Sequence, residues 1–285
     1  MKAVVTLSPE ESKRLIAKAI AGMPEVRHAL EHGIIGLARC TTNAFVIEEL
    51  IGRPLADRGA YCSGFFTARG ACALQGRFQE KLLVLDHGEE RWLTYEQGNV
   101  AQFIERMDHD DVIIKSGNVI DPQGRVGCLV ASPTGGEIGA YLPPILVKGI
   151  RFLVPMTLNK TLAVPLDRMI DVLGMSKIDG ERCHGLRCGM MPMPGTVVTE
   201  VDAIRQLTGA EATPVASGGI GSGAGAIMLV IDGADEAVDA AWRLISTIRK
   251  KGEPPLADPA IACDDCYIAT QPGLGNRCSP IARNT

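Results

Sequence analysis

Three short polar runs, each following an apolar run, carry the residue types that could hold a small anion and move a proton on it. The first is Arg39-Cys40-Thr41-Thr42-Asn43, between an apolar run at 33–38 and a helical pattern at 44–50. A helix that starts there offers unpaired N–H groups and a partial positive charge to a phosphate or carboxylate. Thr41, Thr42 and Asn43 would add donors and Arg39 a full charge, although Thr42 could serve equally as a helix cap without any ligand. The second run, Lys115-Ser116-Gly117-Asn118, closes an apolar segment at 111–115. Lys115 there could hold a phosphate or stabilise an enolate, with Ser116, Gly117 and Asn118 lining the ligand. Asp121 is a candidate base; the stronger of its two readings is the first position of a type I turn, Asp121-Pro122-Gln123-Gly124. The third run is Ser132-Pro133-Thr134-Gly135-Gly136-Glu137, where Thr134, Gly135 and Gly136 suit an anion cradle. Glu137 is a nucleophile or base there, or only an acid in a first helical turn. Catalysis would rest on Lys115, Asp121 and Glu137 if the segments near 41, 117 and 135 meet at one rim of a shared sheet.

The nine cysteines divide into two groups. Cys40, Cys62, Cys72 and Cys128 sit among small apolar residues and read as core filler. Cys183, Cys188, Cys263, Cys266 and Cys278 lie in polar, Gly- and Pro-rich stretches, and the thiolates of Cys188, Cys263, Cys266 and Cys278 suit zinc or an iron–sulfur cluster. A redox disulfide between Cys263 and Cys266, or unrelated thiols, is the competing reading. The run from Gly218 to Gly225 joins two strands rather than a strand and a helix, which is the wrong context for a dinucleotide fingerprint and suits a hairpin loop.

The elements that must position these residues follow from the same sequence. Ser8-Pro9-Glu10-Glu11 is a capping box with proline at the first helical position, and Leu15, Ile16, Ala19, Ile20 and Met23 repeat at helical spacing behind it. Strands are expected at 33–38, 81–86, 111–115, 125–131 and 151–155. Helices are expected at 25–32, 44–50, 99–107, 137–149 and 165–173, the fourth split or kinked by Pro143 and Pro144. This alternation predicts an α/β fold, a layered and mostly parallel sheet with helices on both faces. After residue 195, helices at 198–207 and 235–250 flank strands at 213–217 and 226–232. These should form an antiparallel hairpin, with 194–198 as a third strand. The expected division is an α/β ligand-binding domain at 1–185, a small α+β unit at 186–250 and a Pro- and Cys-rich segment at 251–285. The 285 residues suit one large or two modest domains. A formal charge of -4 argues against nucleic acid or an anionic membrane as partner. The absence of a long apolar run and of a secretory signal favours the cytoplasm. Assembly into a homo-oligomer is left open.

Gly33-Ile34-Ile35-Gly36-Leu37, then Thr41-Thr42-Asn43, then Ile47-Glu48-Glu49-Leu50 resembles the first strand, phosphate loop and helix of one superfamily. Its members are the ribose-5-phosphate isomerases, glucosamine-6-phosphate deaminases and CoA transferases. Lys115-Ser116-Gly117-Asn118 and Gly135-Gly136 are similar to its later ligand loops, and the small unit after 195 to the isomerases' appended domain. Arg39 and Cys40 stand where that superfamily usually carries glycine. The resemblance implies a small anionic metabolite, a sugar phosphate or an acyl-CoA-like compound, bound at strand ends, with isomerase or transferase chemistry. The alternative is a metal or iron–sulfur protein with a sensing or redox role.

Overall fold

The computed structural model describes residues 1–67, 70–73, 81–94 and 99–256. Strand β1 (Lys2–Leu7) leads into α1 (Pro9–Gly22), whose start is the expected capping box: Glu11 N–H donates to Ser8 Oγ, and Ser8 N–H donates to the Glu11 carboxylate at 2.8 Å. Then follow α2 (Pro24–His32), β2 (Ile34–Leu37), α3 (Thr41–Ile51), β3 (Gly64–Thr67), β4 (Gly70–Ala73), β5 (Lys81–Asp86), β6 (Glu89–Thr94), α4 (Asn99–Arg106), β7 (Val112–Ile114), β8 (Val119–Ile120) and β9 (Val126–Val130). The second half comprises α5 (Gly136–Lys148), β10 (Arg151–Pro155), α6 (Leu166–Val172), β11 (Gly189–Met193), β12 (Thr196–Val198), α7 (Glu200–Thr208), β13 (Glu211–Gly218), β14 (Ala226–Asp232) and α8 (Asp235–Lys251). No helix among the described residues is long and apolar enough to cross a membrane.

The fold is α/β around a mixed six-stranded sheet, in the order β12-β10-β7-β2-β5-β6. Strands β12, β10, β7 and β2 run parallel, with Leu37 and Leu153 both in register with Ile114. Strands β5 and β6 continue the sheet antiparallel. The turn between β5 and β6 explains why those two strands pair antiparallel. His87 and Gly88 both have positive φ, which matches the two-residue turn that folds a strand straight back on itself.

Successive residues of a strand point to opposite faces, and the core follows that alternation. Ile35, Leu37, Leu83, Leu85, Val112 and Ile114 join one cluster with Leu15, Ile16, Phe45, Ile204, Val238 and Ile245 from α1, α3, α7 and α8. Ile34, Leu82, Val84, Ile113, Phe152 and Val154 join a second with Ile104 of α4 and Ile138, Tyr141 and Ile145 of α5. Each such apolar side chain contributes about 1.5–3 kcal/mol on leaving water.

Four expectations need correction. Residues 196–198 do not complete the small sheet; β12 pairs with β10 in the large one. The third strand beside β13 and β14 is β1, from the start of the chain, paired antiparallel with β14 from Lys2↔Asp232 to Leu7↔Ile227. The segment at 125–131 lies outside the large sheet: β9 stands between β8 and β11 in a separate antiparallel sheet. Finally, α5 runs unbroken through Pro143 and Pro144, its lost backbone donors offset by the burial of Ile138, Tyr141 and Ile145.

Candidate functional site

The C-terminal ends of β2, β7 and β10 open onto a cavity of about 350 Å³. Side chains hold that edge apart where the ladders stop. The Tyr61 hydroxyl donates to Leu37 O and accepts from Leu83 N–H at 3.1 Å, so it sits between β2 and β5. On the other side of β2, Asn43 Nδ2 donates to Ala38 O and Ile114 O, both at 2.7 Å, and so ties β2 to β7. Helix α3 therefore starts at Thr41 rather than at 44, and the cap is Cys40, whose sulfur accepts the Asn43 N–H at 3.3 Å. Thr42 is not the cap. It and Asn43 are fully buried in the first turn and build the crevice instead of lining it.

Lys115 follows β7 and is buried, with its ammonium 2.9 Å from Glu137 Oε2. The other carboxylate oxygen accepts the Arg39 N–H at 3.2 Å and lies 3.7 Å from Arg39 Nε. Burial works against the charge on Lys115, but the adjacent Glu137 carboxylate outweighs it and holds the amine's pKa above its ordinary value. Glu137 reaches this position because Gly135 and Gly136, both at positive φ, turn the chain sharply into α5. Gly117 has a different reason. A Cβ on it would lie 2.3 Å from Val126 Cγ1 and 2.7 Å from Gly127 O, so only glycine lets the loop after β7 lie against β9.

A third cation reaches the cavity from the segment after β10. Lys160 ends a single 3-10 turn, Leu158–Lys160, and donates to Gly117 O at 2.9 Å and Ser116 Oγ at 3.2 Å. Burial is the largest influence on it and pushes its pKa down to about 8. The wall is completed by Cys128 of β9, by Cys72 and Phe65 of the β3–β4 hairpin, and by Leu186 and Cys188. The hairpin is held in place through Leu186 N–H, which donates to Ala71 O at 2.8 Å.

Of the residues expected from sequence, Arg39, Thr41, Lys115, Ser116, Gly117, Asn118, Gly135, Gly136 and Glu137 all line this one cavity. The three segments meet, but not on one shared sheet, since the segment at 135 arrives from the sheet of β9. Thr134 is outside the lining, with its hydroxyl 3.1 Å from Ser132 Oγ. Asp121 is outside as well. Its carboxylate accepts from Gln123 N–H, Arg125 N–H, Arg125 Nε and Leu166 N–H, and these bonds, against the effect of burial, hold its pKa below the ordinary carboxylate value. Asp121 is thus the organiser of a turn, and its assignment as a base is withdrawn. Cys188 sits on the cavity wall with its thiol directed to Leu186 O, while Cys263, Cys266 and Cys278 lie outside the described residues. Among the described residues, the side chains close enough to share an ion are Asp108, His109 and Asp110, exposed on the turn before β7, at the end of that strand away from Lys115.

Sequence reasoning missed Lys160, and it placed Cys40 in the core rather than on the cavity. Lys160 carries a weaker signal than Lys115, because Met156, Thr157, Leu158 and Asn159 separate it from the apolar strand that ends at Pro155. Comparison with known protein families, with characterised proteins and with solved structures found no match to this chain.

Proposed function

We propose that the cavity binds a small anionic metabolite, a sugar phosphate or the acyl end of a CoA-like thioester, and transfers a proton beside its carbonyl group. One observation carries the reading. Arg39, Lys115 and Lys160 converge on the cavity, and Glu137 is the one carboxylate among its described lining residues. Three cations against one anion leave a positive excess in a partly enclosed space, where charge acts more strongly than in water. The starts of α3 and α5 reach the same space, and their first N–H groups have no partner within the helix. Lys115 would stabilise the developing oxyanion, and Glu137, 2.9 Å from it, would carry the proton. The resemblance to the isomerase, deaminase and CoA transferase superfamily agrees with this chemistry. So does its layered fold, toward which the two hydrophobic clusters on alternate residues of the large sheet point.

Calorimetric titration with inorganic phosphate, pentose and hexose phosphates and acetyl-CoA tests the reading. Saturable binding of one class, weakened at least tenfold in Lys115→Met, is expected. Absence of saturable binding to every member of the series rejects it.

A further inference from the structure

Two lysines face this cavity, and their surroundings make them chemically different. Lys115 is locked as a cation by direct contact with Glu137. Lys160 instead donates to two neutral oxygens, Gly117 O and Ser116 Oγ. The carboxylate that acts on it is Glu200 at the start of α7, only through space, because both Glu200 oxygens accept the Leu158 N–H at 3.0 and 3.2 Å. The other groups that face Lys160 are Cys40 ahead of α3, Cys128 of β9 and the cation Lys13 of α1. Lys13 opposes the charge on Lys160, as burial does, and Cys40, Cys128 and Glu200 favour it.

We propose that Lys160 is a nucleophilic amine that condenses with the carbonyl group of an anionic aldehyde or ketone held in the cavity. The inference rests on the anion-binding reading above and adds to it the covalent residue and the substrate class. The neutral Nζ lone pair attacks the carbonyl carbon, and the C=O π pair moves to oxygen, which takes up a proton. The nitrogen of the resulting carbinolamine has given up one proton, its oxygen takes a second from solvent and leaves as water, and the nitrogen lone pair forms the C=N bond, leaving a protonated imine. That cation withdraws electrons from the adjacent C–H bond more strongly than the parent carbonyl does. A proton transfer beside the carbonyl then needs less stabilisation of an oxyanion. Lys115, held as a cation by Glu137, adds its charge to the anion's surroundings and does not compete as a nucleophile.

The test uses pyridoxal 5′-phosphate, an anionic aldehyde, with the full chain. After incubation, sodium borohydride delivers hydride to the imine carbon and fixes it as a secondary amine, which is located by proteolysis and mass spectrometry. Lys160 is expected to be labelled on the order of tenfold or more faster than exposed lysines, because a larger fraction of it is neutral near pH 7.5. The rate should rise through about pH 8, and millimolar inorganic phosphate should suppress it at least tenfold. Lys160→Arg, with its fold checked by circular dichroism, should lose the cavity label. Phosphate binding measured separately by calorimetry distinguishes the two failures. If phosphate binds but the label falls on Lys115 or only on exposed lysines, the amine assignment is overturned and the anion site stands. If phosphate neither binds nor protects, the anion site and the inference built on it fall together.

Discussion

Asp121 and Glu137 show how two carboxylates of similar sequence setting separate once their partners are known. Each comes after an apolar strand and opens a turn or a helix, yet only Glu137 meets the cavity. Removing charge from each should therefore cost stability in both cases but alter binding only at Glu137. Asp121→Asn gives up charge-assisted bonds to Arg125 Nε and to backbone N–H groups. It should cost about 2 kcal/mol in urea unfolding, while phosphate binding stays within about twofold of the parent. Glu137→Gln leaves the Lys115 ammonium buried without its counter-charge. It should cost about 3 kcal/mol and also change phosphate affinity, since Lys115 is then free to pair with the ligand. Equal effects of the two substitutions on binding would mean that the division of roles drawn from the geometry is wrong.

At the scale of elements, glycines set the turns that deliver the polar side chains to the site. Gly139 lies inside α5, where alanine ordinarily stabilises, yet a Cβ there would meet Thr134 O at 2.2 Å. Gly139→Ala should lower stability by roughly 2 kcal/mol and weaken phosphate binding, because the turn that delivers Gly135 and Gly136 must move. Gly22, at the end of α1, has nothing within 4 Å of its Cβ position. Gly22→Ala should be neutral or stabilising by about 0.5 kcal/mol when both variants are compared with the parent in thermal melts. A destabilised Gly22→Ala beside an unaffected Gly139→Ala would contradict the packing described. Which elements could be read from sequence follows a similar logic. Strands at 81–86, 151–155 and 226–232 are apolar runs with sharp ends, so their residues alone define them. Strand β6 is not legible: Glu-Glu-Arg-Trp-Leu-Thr has little strand character, and the His87-Gly88 turn makes it one. The sheet to which β12 belongs depends on contacts distant in sequence, which a local pattern does not contain. The same limit hid Lys160, whose partners Ser116 and Gly117 lie more than forty residues earlier.

At the scale of the molecule, one charged node joins α1, α3 and the segment after α8. Arg14 bonds to Glu48, to Glu49 at 3.0 Å and to Glu253, and Arg58 bonds to Glu48 at 2.8 Å and Glu253 at 2.7 Å. Both guanidinium groups also lie against the Phe45 ring, at 4.9 and 4.6 Å from its centre. Burial alone would raise the Glu48 pKa, but the bonds from Arg58 and Arg14 outweigh it and hold the carboxyl below its usual range. A depressed folded-state pKa adds stability that is present above the unfolded value, about 4.3, and lost as pH falls through the folded value. Glu48→Gln should therefore cost about 2 kcal/mol at pH 7, less than a fully enclosed pair because Arg58 is partly exposed. Urea unfolding of both proteins from pH 7 to pH 3 should show the gap narrowing below about pH 4, as the parent's carboxyl takes up the proton whose charge the variant lacks throughout. A gap that stays constant over that range would show that the loss comes from disturbed packing around Phe45. The node would then be a spacer between α1 and α3 rather than an electrostatic clamp.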